Sequence, residues 1–166
     1  LIEQCPESKQ TLLFSATLDH PETLTIARSV MSAPKEHIVD RVDQPLENIK
    51  EHFYRLKGII QKFDLLSHLI KTQPTSKSIV FITSRAAVDQ LATRLEALSL
   101  PVVSLHGKMA KSERNDAMLK FKSMANGTLV TTDLGARGLD VLDVTRVINF
   151  DMPTKPEDYV HRIGRT

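Results

Sequence analysis

The sequence predicts an α/β fold, a parallel sheet covered by helices on both faces. Three observations predict it. Short, continuously apolar runs such as Ser78-Ile79-Val80-Phe81-Ile82 and Val102-Val103-Ser104-Leu105 read as strands buried on both sides. Between them, apolar residues recur at three- and four-residue intervals, the spacing of amphipathic helices. The two kinds of segment alternate from about residue 49 onward, the order that builds a parallel sheet and its covering layers.

The elements follow in order. Thr11-Leu12-Leu13-Phe14 reads as a short buried strand, with Ser15-Ala16-Thr17 after it. A helix is expected from Asp19 as N-cap, with Pro21 in its first turn and Leu24, Ala27, Val30 and Met31 at helical spacing, ending before Pro34. Residues 40–48 are polar, aperiodic and contain Pro45, which marks them as a linker. Residues 49–56 look extended. Ile59, Ile60, Phe63, Leu66, Leu69 and Ile70 then form a helical stripe that ends before Pro74.

After the Ser78 to Ile82 strand, Ser84 can cap a helix carrying Val88, Leu91, Leu95 and Leu98. The Val102 to Leu105 strand leads to a helix over about residues 112–124 that buries Ala117, Met118 and Phe121. Asn126-Gly127 turns the chain into Thr128-Leu129-Val130-Thr131, and Arg146-Val147-Ile148-Asn149-Phe150 is the next strand. Thr154 and Glu157 have capping-box spacing, with Pro156 in the first turn of a last helix. Ligands of such sheets bind at the loops that follow the strands. The loops after Ile82, Leu105, Thr132 and Phe150 therefore share one rim.

Composition narrows the function. A net charge of +2 gives no global basic field, so any nucleic-acid contact must come from local patches. No apolar run is long enough to cross a bilayer, and no signal peptide opens the sequence. The single cysteine, Cys5, can form no internal disulfide, which points to a reducing, intracellular setting. No basic cluster near Cys5 would activate it as a nucleophile. The six histidines show no paired metal-ligand spacing, so no metal site is expected. No G-x-S-x-G elbow supports a serine hydrolase.

Three strings can carry chemistry. In His161-Arg162-Ile163-Gly164-Arg165-Thr166, two arginines at i, i+3 spacing form a candidate clamp for a polyanion, with His161 beside them. Gly164, read as lying inside a helix, would cost about 1 kcal/mol against alanine and suggests a close approach there. In Thr132-Asp133-Leu134-Gly135-Ala136-Arg137-Gly138-Leu139-Asp140, the glycines permit positive φ or close backbone approach, and Asp140 can accept from a ribose. In the stretch from His106 to Arg114, a glycine and three basic side chains surround a helix start, where phosphates can be met. A plain solvated helix face or an ordinary capped turn accounts for each string taken singly.

Taken together, in this order and spacing, the strings resemble the superfamily 2 helicases and most closely the DEAD-box RNA helicases. Ser15-Ala16-Thr17 resembles their motif III, Ile79-Val80-Phe81-Ile82 motif IV, Lys111 to Arg114 motif IVa, Thr132 to Asp140 motif V, and His161 to Thr166 the opening of motif VI. The resemblance implies a RecA-like second domain over residues 49–166, ending within motif VI. It also implies the tail of a first RecA-like domain over residues 1–39 and a linker over residues 40–48. Two departures stand out. Lys111 occupies a position usually held by glutamine, and a further motif VI arginine would lie beyond Thr166.

The resemblance implies an ATP-dependent RNA helicase that couples hydrolysis to duplex unwinding or remodelling. The cofactors it implies are ATP and magnesium, held mainly by a first domain whose G-x-x-x-x-G-K-[ST] loop this sequence lacks, so that the chain alone is not expected to turn over. Arg165 is implied as the arginine finger, with His161 and Arg162 also at the catalytic centre. Ser15, Ala16, Thr17 and Arg137 are implied in interdomain coupling, and Gly138 and Asp140 in nucleotide binding. Gly107, Lys111, Arg114 and Thr132 are implied contacts to RNA phosphates. Protein cofactors are further possible partners, and no membrane is expected. Two other readings stay open: a non-catalytic RNA-binding or assembly module of the same fold, and a DNA-acting helicase of the same superfamily.

Overall fold

The computed structural model describes residues 5, 6, 8–15, 21–37, 49–139, 141 and 143–166, except the side chain of Glu22. The chain divides into two units, Leu1–Pro45 and Leu46–Thr166. In the first, the described helix is α1 (Pro21–Val30), which begins on the expected proline and ends before Pro34. Asp19, its expected cap, lies outside the described residues.

The strand expected at residues 11–14 does not form. Leu12 and Phe14 are instead 67% and 89% exposed. A strand needs partners for its backbone N–H and C=O groups, and a lone one is not stable in water. Among the described residues of this unit there is no second strand.

The second unit is built from α2 (Ile59–Thr72), β1 (Lys77–Phe81), α3 (Arg85–Glu96), β2 (Val102–Leu105), α4 (Lys111–Ser123), β3 (Gly127–Thr131), α5 (Asp133–Ala136), β4 (Val144–Asn149) and α6 (Pro156–Ile163). The strands form one parallel sheet in the order β2-β3-β1-β4. Strand alternation sends neighbouring side chains to opposite faces. Val80, Val102 and Val130 pack on one face with Leu66 and Ile70 of α2 and Val88, Leu91 and Leu95 of α3. Ile79, Phe81, Val103 and Leu129 pack on the other with Phe121 of α4 and Ala136 of α5. The expected two-faced coverage is therefore present, and β1 and β3, central in the sheet, are buried throughout. Fully burying a side chain such as Phe121 stabilises the fold by about 2–3 kcal/mol.

Several local expectations need correction. Residues 49–56 join no ladder and, apart from half-buried Ile49 and Leu56, are exposed. Ile59 and Ile60 belong to α2 but stay 57% and 69% exposed, because only the later part of the stripe faces the sheet. The N-cap of α6 is Lys155 rather than Thr154, with no side-chain cap bond. Ser84 is the N-cap of α3 but likewise makes no side-chain cap bond. One half of a capping box appears instead at α4, where the Ala110 backbone N–H donates to Glu113 Oε2 at 2.7 Å.

At the strand-start end of the sheet, Arg146 donates to Leu69 O and Ser76 Oγ, both at 2.8 Å, and to Ser78 Oγ at 3.3 Å. Burial pushes its guanidinium pKa below the usual range. Tyr159 on α6 donates its hydroxyl to Glu51 Oε1, tying residues 49–56 to that helix. Among the described residues, no helix is long and apolar enough to cross a membrane.

Candidate nucleotide and RNA interface

The strands end on one rim, and the short helix α5 sits there as a hub. It forms because Thr132, leaving β3, takes an extended backbone and accepts from the Gly135 N–H at 3.1 Å. Thr131 Oγ1 donates to Leu105 O at 2.8 Å, which ties the end of β3 to the end of β2. A Cβ on Gly135 would lie 2.5 Å from Thr131 Oγ1 and 2.7 Å from Leu105 O, so a glycine is needed for this close approach. Two residues past the helix, Gly138 has φ +72°, the left-handed region that glycine enters without strain.

Helix α6 docks against this hub through Arg162. Its Nε and Nη2 donate to Asp133 Oδ1 and Oδ2 at 2.6 and 2.8 Å. Its Nη1 donates to Asn149 Oδ1 at 2.9 Å and to Asp151 O at 2.6 Å. The guanidinium also lies 4.9 Å from the centre of the Phe81 ring, and the side chain is only 2% exposed. The clamp expected from Arg162 and Arg165 acting together is not formed. Arg162 is buried in this network, while half-buried Arg165 donates Nη1 to Leu139 O at 2.9 Å. The cause is the helix end: α6 stops at Ile163, Gly164 is its C-cap, and Arg165 lies in the turn beyond. Gly164 is therefore not inside the helix, although an added Cβ there would lie 3.2 Å from Val160 O in the last turn.

Asp151 extends the network. Its Oδ1 pairs with Lys62 Nζ at 2.9 Å, and its Oδ2 accepts from the Thr83 N–H at 3.1 Å. The β4 end, α2 and the loop after β1 are thus joined by one carboxylate.

On the other side of α5 lie the candidate RNA contacts. Arg114, in the first turn of α4, donates Nη2 to Gly135 O at 3.3 Å. Lys111 begins the same helix, and Lys111 and Gly107 are exposed. Thr132 is buried and occupied as a cap. His161, Arg137 and Gly138 are exposed. Arg114 and Arg165 are thus both anchored to backbone carbonyls of the segment from Gly135 to Leu139.

Ser15 is exposed in the first unit, whereas Ala16, Thr17 and Asp140 lie outside the described residues. Among the described residues, no group of three His, Cys, Asp or Glu side chains could hold a metal ion. Sequence reasoning did not single out the carboxylates and amide that engage Arg162. Asp133 stands within the motif V string, but nothing in its spacing reveals a partner 29 positions away. Asn149 and Asp151 flank a strand end, and only the folded sheet brings them to Arg162.

Comparison with known proteins places this geometry. The helicase conserved C-terminal domain family matches residues 61–166. The chain is 37% identical over 161 residues to the ATP-dependent RNA helicase FAL1 of Mycosarcoma maydis, covering 97% of this chain and 40% of that protein. It therefore spans about two fifths of the length of such relatives. The structure of S. cerevisiae Dbp5 bound to RNA and ADP BeF3 superposes with a TM-score of 0.83 at 29% identity, covering 97% of this chain and 42% of that one. The E. coli DEAD-box protein SrmB, bound to regulator of ribonuclease activity A, is 42% identical with a TM-score of 0.61, over 64% of this chain and 63% of that one. The chain, with its RecA-like parallel sheet, belongs to the helicase conserved C-terminal domain family, among the DEAD-box helicases of superfamily 2.

Proposed function

We propose that residues 49–166 act as the second RecA-like domain of an ATP-dependent RNA helicase, preceded by a linker over residues 40–48 and the tail of a first domain. The observation that carries this reading is the shared anchorage of Arg114 and Arg165. Both are held by carbonyls of one short segment, Gly135 O and Leu139 O. A side chain suited to RNA phosphates and one suited to a nucleotide phosphate are thereby linked through α5.

The residues present suit a polyphosphate rather than a metal. Arg165, Arg137 and exposed His161 offer donors, and Gly138 opens the backbone for close approach, as Asp140 is expected to offer a ribose contact. The magnesium that this reading implies is assigned mainly to the first domain, and among the described residues no group of three His, Cys, Asp or Glu side chains offers it a cage. ATP, when bound, supplies a γ-phosphoryl group whose transfer develops charge on its oxygens. The role assigned to Arg165 is to release Leu139 O and donate to those oxygens as the domains close. Arg162 fixes α6 on α5 and so sets where Arg165 starts, which makes it a positioning residue. His161 is assigned to contact across the domain interface, along with Arg137, Ser15, Ala16 and Thr17.

Lys111 and Arg114, with the backbone at Gly107, are assigned to RNA phosphates; Thr132 holds the cap from which that arrangement is built. Phosphate contacts carry no sequence information, so binding by this domain is expected to be sequence-independent. RNA inside the cell is the substrate this reading implies, with protein cofactors as further partners. The test is ATP turnover by the complete helicase with single-stranded RNA or DNA added. Stimulation by RNA well above DNA is expected. Equal stimulation would favour a DNA-acting helicase, and no turnover with either would favour a binding module.

A further inference from the structure

His106 is the buried histidine among the described residues, and it stands where β2 gives way to the Gly107 turn. Its Nε2 lies 2.9 Å from Asp89 Oδ2 on α3. On the other side of the ring, Nδ1 accepts from the Lys108 backbone N–H at 3.3 Å. A backbone N–H can only donate, so Nδ1 carries no proton and the ring hydrogen sits on Nε2, facing the carboxylate. The imidazole therefore spans from a helix of one sheet face to the turn that leads into α4. The turn is closed further by the Met109 N–H, which donates to His106 O at 3.3 Å.

Core packing does not account for the pair. The Asp89 side chain is 59% exposed, and a buried imidazole carries a desolvation cost that an aliphatic residue would not. What an aliphatic residue could not do is hold the Lys108 amide and be held by a carboxylate at once. Such an outer partner fixes both the tautomer and the ring orientation of a histidine.

We propose that Asp89 and His106 are a positioning pair that sets the shape of the Gly107 to Lys111 turn for gripping single-stranded RNA phosphates. The proposal rests on the reading of Gly107, Lys111 and Arg114 as RNA contacts. Neither member touches RNA: Asp89 orients His106, and His106 orients the backbone.

The experiment measures binding of a labelled single-stranded oligouridylate to the complete helicase at fixed salt, alongside binding of ADP. Asp89→Ala is expected to weaken RNA binding about tenfold, the scale of one charge-assisted hydrogen bond, with ADP binding within about twofold. Asp89→Asn keeps an acceptor for Nε2–H and is expected to restore RNA binding to within about twofold. Nitrogen-15 spectra of the wild-type imidazole are expected to show the proton on Nε2; a proton on Nδ1 overturns the proposal whatever the variants do. RNA binding unchanged in Asp89→Ala overturns it as well. Arg114→Ala, run in parallel, separates the two levels. If Arg114→Ala weakens binding and Asp89→Ala does not, the positioning role alone fails; if neither does, the RNA grip fails and the positioning role with it.

Discussion

Arg162 and Asp133 meet in a two-pronged ion pair, Nε to Oδ1 at 2.6 Å and Nη2 to Oδ2 at 2.8 Å. The arginine is buried, whereas the Asp133 side chain is 40% exposed. Removing the arginine leaves Asn149 and Asp151 O without a donor and opens a cavity under α6. Because solvent can reach Asp133, the cost falls below that of a fully buried pair. Arg162→Ala is expected to lower stability by about 2–3 kcal/mol, read from urea unfolding at an unchanged m-value. Arg162→Lys should recover little, since an ammonium cannot repeat the forked geometry. A loss below about 0.5 kcal/mol would contradict the part assigned to Arg162 in fixing α6 on α5.

The two glycines around α5 should respond differently. At Gly135 an added Cβ meets Thr131 Oγ1 at 2.5 Å and backbone Leu105 O at 2.7 Å, and the latter cannot swing away. Gly135→Ala is expected to cost about 3 kcal/mol. Among the described residues nothing lies within 4 Å of a Cβ on Gly138, so Gly138→Ala carries the left-handed backbone term, about 1 kcal/mol. Denaturant melts of both variants check the order; a reversed order would mean that α5 sits differently against β2.

How much of this was legible beforehand depends on the kind of signal. The strand at Val102–Leu105 and the helix starting near Ser84 could be read from local apolar pattern, because burial on both sheet faces imposes that pattern. The rim was legible for the same reason, since a parallel sheet puts every strand end on one side. Tertiary pairing was not. Arg162 looks like any arginine on a polar helix until β4 and α5 bring Asn149 and Asp133 beneath it. The apolar run at Leu12, Leu13 and Phe14 misleads in the opposite direction, because sequence gives a strand its side chains but not its neighbours.

That run yields a prediction by hydrogen exchange. Residues 12–14 make no ladder and are exposed, while residues 79–82 lie in the sheet core. Amides of Leu12, Leu13 and Phe14 are expected to exchange with little protection in a dilute sample, and those of Ile79 to Ile82 only with opening of the sheet. Comparable protection at both places would show that residues 12–14 are paired.

Tyr159 supplies a pH signature. Burial, then the hydrogen bond and negative charge of Glu51, push its phenol up to about 12. A raised folded-state pKa means the native state holds the proton more firmly than the unfolded chain. The stabilisation is thus complete below about pH 10, the ordinary phenol value, and is lost as pH rises toward about 12. Ultraviolet titration should show a late phenolate step that Tyr159→Phe removes. Its persistence in that variant would place the Glu51 contact elsewhere.

The RNA grip has an electrostatic test. Loss of one phosphate contact lowers the slope of log K against log salt by about 0.7 for a single strand. Arg114→Ala in the complete helicase is expected to show that change and to weaken all RNA sequences about equally. An effect confined to one sequence would indicate base readout instead.

Arg165 decides the central claim. Single-turnover ATP hydrolysis by the complete helicase at saturating RNA, wild type against Arg165→Ala, measures the chemical step directly. The account predicts a rate lower by about 10³-fold or more, the scale of an arginine finger, with RNA affinity essentially retained. A loss smaller than about tenfold would contradict it and leave Arg165 as no more than the bond to Leu139 O that the structure displays.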